Sequence, residues 1–93
     1  MNGENVYEVR ITPHARRSLR KLKRDQDLIK RLLSAMEKLA DNPKLPGHKK
    51  LRGDKFDNLY RYRVGDWRIL YAIEEGVLIV VILEVVRRDQ AYR

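Results

Sequence analysis

Hydrophobic and polar positions change period along this 93-residue chain, and each change marks a new element. Residues 6–12 alternate, with Tyr7, Val9 and Ile11 on one side and Glu8 and Arg10 on the other; this is the period of a half-buried strand. Thr12 can then cap the free amides of a helix, and Pro13 suits the first helical position. Ala15, Leu19 and Leu22 give that helix a thin apolar stripe. After Arg24-Asp25-Gln26-Asp27, the residues Leu28, Ile29, Leu32, Leu33, Met36, Leu39 and Ala40 recur at steps of three and four. This is the strongest periodic signal in the chain, and it predicts a second helix. Asn42-Pro43 ends it. Residues 43–58 hold two prolines and two glycines and read as a loop, and a loop that long in so small a domain hints at function.

From Leu59 the period becomes two. Strands are predicted at residues 59–64, 67–74 and 77–86, separated by Gly65-Asp66 and Glu75-Gly76. Turns this short join antiparallel neighbours. The whole reads as an α+β fold: an N-terminal strand and a helical hairpin packed on one face of a four-stranded, largely antiparallel sheet. The length allows one domain, residues 1–93, with one modest core.

A two-residue loop at Gly65-Asp66 pairs Val64 with Trp67, Arg63 with Arg68, Tyr62 with Ile69 and Arg61 with Leu70. Tyr60, Tyr62, Val64, Trp67, Ile69, Tyr71 and Ile73 then share the face that helices can cover. Arg61, Arg63 and Arg68 share the other. Like charges directly opposite across a strand pair are destabilising, so Arg63 facing Arg68 calls for an anion between them. Phosphate suits a guanidinium pair, because two parallel hydrogen bonds match its oxygens. The plainer reading is a solvated sheet face whose arginines point into water. A two-residue turn at Glu75-Gly76 would bring Arg87, rather than Arg88, to the arginine face; a bulge would reverse that choice.

Charge strengthens the case for a polyanion. Twenty-one Lys and Arg against thirteen Asp and Glu leave +8, which attracts nucleic acid from a distance. Arg16, Arg17, Arg20, Lys21, Lys23 and Arg24 crowd the first helix, and Lys49, Lys50 and Arg52 lie in the loop. They form either a solvated basic surface or contacts to RNA with strong salt dependence. The chain has no cysteine, hence neither disulfides nor thiolate metal sites. The N-terminus lacks a signal-peptide layout, and the longest apolar run, residues 77–83, is far short of a membrane span; the expected location is cytoplasmic. His14 and His48 are far apart in sequence, and there is no metal-ligand spacing, glycine-rich phosphate loop or Gly-x-Ser-x-Gly elbow.

The string Leu59-Tyr60-Arg61-Tyr62-Arg63-Val64-Gly65-Asp66-Trp67-Arg68-Ile69-Leu70-Tyr71, the Lys50-Leu51-Arg52-Gly53 segment before it and the ending Arg87-Arg88-Asp89-Gln90-Ala91-Tyr92 resemble the RelE/ParE toxin superfamily over nearly the whole chain. The resemblance implies a toxin of a type II toxin-antitoxin system that enters the ribosomal A site, cuts messenger RNA without metal or cofactor, and is inhibited by a cognate antitoxin. It implies catalytic roles for Arg61, Arg63, Arg68, Arg88 and Tyr92, with ribosomal RNA contacts falling to the basic helix and loop residues and to Arg87. Family members often carry His where this chain has Arg87, and some carry lysines where it has arginines on the first hairpin strand, so acid or base roles at those positions are not implied. Two rival readings are a ParE-like inhibitor of DNA gyrase and a non-catalytic module that binds RNA or protein.

Overall fold

The computed structural model describes residues 6–51 and 58–88. Strand β1 spans Glu8–Ile11, helix α1 Pro13–Lys21, helix α2 Gln26–Asp41, and strands β2 to β5 span Lys49–Lys50, Leu59–Val64, Trp67–Glu74 and Ile79–Arg87. The sheet runs β1-β5-β4-β3-β2. Every pairing is antiparallel except that of β1 with β5. This is the expected α+β arrangement with one correction: the sheet has five strands among the described residues, because Lys49 and Lys50, taken from sequence as loop, pair with Arg61 and Tyr60. A two-residue strand carries no period that sequence could show.

Thr12 caps α1 as its position predicts. Its Oγ1 accepts from the Ala15 amide at 3.1 Å and donates to the Leu83 carbonyl at 3.2 Å. The Asp25 carboxylate accepts from the Leu28 amide to start α2. Arg20 and Lys21 in the last turn of α1 complement the negative end of the helix dipole, which accounts structurally for part of that helix's charge. The apolar stripe of α2 lies against the sheet. Leu32 and Leu39 are fully buried with Ile69, Tyr71, Val80 and Ile82, and Ala15 joins them from α1. Tyr62, Val64 and Trp67 pack on the edge of the same cluster.

The β3–β4 register is the one derived from sequence, residue for residue: Arg61 opposite Leu70, Arg63 opposite Arg68, Val64 opposite Trp67. The β4–β5 connection differs. Residues 75–78 form a four-residue turn with Leu78 in the left-handed region at φ 56°, and Val77 and Leu78 are exposed rather than at the start of the last strand. Two added turn residues leave strand parity unchanged, but Leu70 pairs with Glu84 while Tyr71 pairs with Ile82. Leu83 is therefore the extra residue of a bulge, and it inverts the parity of everything beyond it.

Candidate anion-binding site

Four residues come together where the first turn of the chain's central hairpin meets the short strand β2. Arg61 and Arg63 project from β3, Arg68 from β4, and Lys49 from β2, directly opposite Arg61. With Gly47 they line a cleft of about 210 Å³ on the sheet face away from the helices. Gly47 has φ 98°, a conformation that a side chain would resist, so the loop can turn here and lay Lys49 alongside β3.

Arg68 lies deepest. Only 9% of it is exposed, and it is the one charged residue buried among those described. Burial, then the charges of Arg61, Arg88 and Arg63, hold its guanidinium below the ordinary arginine value. Arginine stays protonated in proteins, so the shift reflects burial and the crowding of like charges around this guanidinium. Arg63 is more exposed, and its Nε donates to the Gly65 carbonyl at 2.9 Å. A cluster of like charges partly withdrawn from water is a pre-arranged receptor for a multivalent anion, since the anion relieves repulsion that the fold itself maintains.

The bulge decides between the two terminal arginines. Arg87 pairs with Trp67, on the helix-covered side, which corrects the choice that strand parity gave. The Arg88 amide continues the ladder by donating to the Asp66 carbonyl at 2.7 Å, and Arg88 is the neighbour whose charge reaches Arg68. Tyr92 and Arg52 lie outside the described residues. Of the remaining basic residues picked from sequence, Lys50 pairs with Tyr60 and so faces the other way from Lys49. Arg16, Arg17, Arg20, Lys21, Lys23 and Arg24 are exposed along and just after α1, and none of them lines the cleft. Among the described residues Glu84, opposite Leu70, lies on the arginine side of the sheet, and its carboxylate is 3.4 Å from His14 Nε2. Sequence placed Lys49 only in a general basic loop and missed Gly47; once the pairing with Arg61 is known, parity assigns Lys49 to the cleft.

The loop that carries Lys49 is anchored below the cleft. Tyr71 is fully buried, and its hydroxyl donates to the Pro43 carbonyl at 2.6 Å. Burial, followed by Tyr60 and Tyr62, pushes this phenol well above the usual tyrosine range. His48 Nδ1 and the Leu45 carbonyl are 2.8 Å apart, and the His48 ring lies 5.8 Å from that of Tyr60. Among the described residues no group of three or more His, Asp or Glu side chains is placed to hold a metal ion, and no helix is long and apolar enough to cross a membrane.

Comparison with known proteins follows the same lines. Residues 9–92 match the family model of ParE toxins of type II toxin-antitoxin systems. Toxin RelE of Mycobacterium tuberculosis is 35% identical over 98 residues, covering 100% of this chain and 93% of that protein. The fold is similar to the toxin-antitoxin complex RelBE2 of M. tuberculosis, with a TM-score of 0.75, 34% identity and coverage of 88% of this chain and 98% of that one. It is also similar to the RelE-RelB complex of the archaeon Pyrococcus horikoshii, with a TM-score of 0.77, 28% identity and coverage of 92% and 99%.

Proposed function

Because the chain belongs to the ParE toxin family within the RelE/ParE superfamily and is thus a toxin of a type II toxin-antitoxin system, we propose that it acts in the RelE manner, as a ribosome-dependent endoribonuclease that cuts messenger RNA in the A site. The observation that carries this reading is the cleft of Arg61, Arg63, Arg68 and Lys49, a cationic receptor with the chemistry of a phosphodiester rather than of a protein surface. The 35% identical relative named RelE supports the same branch.

In the proposed reaction the RNA 2′-oxygen attacks the adjacent phosphorus. A 2′-oxygen to phosphorus bond forms, the bond to the 5′-oxygen breaks, and the departing oxygen takes a proton from solvent water, leaving a cyclic phosphate and a free 5′-hydroxyl. Arg61, Arg63 and Arg68 stabilise the charge that builds on the phosphoryl oxygens, the term that contributes most in sites of this kind. Tyr92 takes the 2′ proton. A free tyrosine, with a pKa of about 10, is a poor base in its neutral form, but adjacent cations favour the tyrosinate. Arg88 stabilises either that phenolate or the departing oxygen. The exposed basic residues of α1, with Lys50, Arg52 and Arg87, contact ribosomal RNA.

A cognate antitoxin is the expected protein partner, as in the complexes of the two solved relatives. It masks the arginine face with acidic residues or fills an apolar groove; a groove of about 410 Å³ between β1 and α2, lined by Val9, Ile11, Leu33 and Met36, has that character. The description of the matching family as ParE favours one second reading, inhibition of DNA gyrase on the same fold.

The test is cleavage of messenger RNA on programmed ribosomes. We expect cutting by the wild type, a loss of about 10²–10³-fold for Arg68→Ala or Arg88→Ala, and a comparable loss for Tyr92→Phe. Normal cleavage by Arg68→Ala removes the site, and normal cleavage by Tyr92→Phe removes the base. DNA damage on expression while translation continues favours the gyrase reading.

A further inference from the structure

A second concave surface adjoins the arginine cleft and has no part in the reaction described above. It lies between α2 and the free side of β3, where β2 pairs only with Tyr60 and Arg61, and it encloses about 380 Å³. Lys30, Ser34 and Lys38 form one ridge of α2 at four-residue steps, Arg31 stands on the next, and Tyr62 and Arg63 form part of the opposite wall. Lys30, Arg31, Lys38 and Arg63 are all exposed. No ion pair among the described residues involves any of the four.

Two guanidinium groups converge on the hairpin turn. Gly65 has φ 61°, and a Cβ there would meet Arg31 Nη2 at 2.7 Å, so Arg31 rests on the bare glycine backbone while Arg63 Nε donates to the carbonyl of the same residue. Groove and cleft meet at β3. Arg63 lines both, and a Cβ on Gly47 in the cleft would lie 3.7 Å from the Tyr62 ring that lines the groove.

We propose that this groove is the track for the RNA strand as it leaves the arginine cleft, with Lys30, Arg31 and Lys38 holding the phosphates beside the scissile one and Tyr62 offering its ring edge or face to a base. The proposal rests on the reading that the cleft takes an RNA phosphate. Three features favour RNA over an acidic peptide: the shared Arg63, the aromatic ring among the cations, and the regular helical spacing of the lysines. A basic groove with interleaved aromatics is how single strands are held without sequence preference. Lys30 and Lys38, eight residues apart, span about 12 Å of helix axis, the rise of three to four stacked nucleotides at about 3.4 Å each.

The experiment measures binding of a 2′-O-methylated, fluorescently labelled 12-nucleotide RNA to the whole protein across a salt series, without ribosomes. Single-stranded RNA loses affinity with a slope of about 0.7 in log salt per phosphate neutralised. Lys30→Ala/Lys38→Ala should therefore flatten the slope by about 1.4, whereas the charge-matched control Arg10→Ala/Lys44→Ala, on other surfaces, should leave it unchanged. Arg31→Ala should flatten it by about 0.7. Equal slopes for the groove and control variants overturn the proposal. So does a poly-glutamate peptide that competes for the groove and loses affinity in the same variants, since the surface is then a docking site for an acidic chain. Because the probe cannot be cut and no ribosome is present, failure of messenger RNA cleavage by the wild type would sink the enzymatic reading and leave this measurement standing.

Discussion

Thr12 sits at the point where helix capping and the geometry of the cleft are joined, and replacing it tests that link. Its hydroxyl oxygen accepts from the Ala15 amide at the start of α1 and donates to the carbonyl of Leu83, the bulge residue. Thr12→Val keeps the shape and removes both bonds. Loss of an N-cap costs about 1 kcal/mol, and loss of one further hydrogen bond to a half-buried carbonyl costs about another 1 kcal/mol. We expect destabilisation of about 2 kcal/mol by urea unfolding, read as a lower midpoint at unchanged m-value. Thr12→Ser, which retains the hydroxyl, should stay within about 0.5 kcal/mol of the wild type. The bulge also sets which terminal arginine reaches Arg68, so Thr12→Val should weaken binding of the 12-nucleotide RNA beyond what global unfolding explains. A valine variant as stable as the serine variant would refute the reasoning, because neither bond would then contribute.

Two other substitutions report on the site and its support. Arg68→Met removes the most buried of the clustered cations, so the variant should lose RNA binding while still unfolding cooperatively in urea; RNA binding equal to the wild type would remove Arg68 from the site. Tyr71 titrates in the native state well above its unfolded value of about 10. The folded state therefore keeps a proton that the unfolded state releases, and the associated stability is complete below pH 10 and falls by up to about 1.4 kcal/mol per pH unit above it. Tyr71→Phe should abolish that component of the alkaline slope and, by leaving the Pro43 carbonyl without its donor, cost about 1–2 kcal/mol at neutral pH; an unchanged slope between pH 10 and 11 would contradict the assignment.

Local sequence determined most of the elements and one complete face of the site. The 3.6-residue period of α2, the Thr12-Pro13 start of α1 and the Gly65-Asp66 turn are each written in neighbouring residues, because capping, helical amphipathicity and two-residue hairpins are short-range effects. Once that turn is set, period-two alternation forces Arg61, Arg63 and Arg68 to one side with no further information. Tertiary structure decided the rest. The two-residue strand β2 exists because Gly47 lets the loop turn and β3 offers an open edge, and it brings Lys49 to Arg61. The bulge at Leu83 is favoured by a hydroxyl 71 residues earlier in the chain, and it reverses the Arg87 choice that sequence parity made. A single inserted residue carries no composition signal, yet it flips every side chain beyond it; only the partner strand and the helix start packed beside it select where the insertion falls.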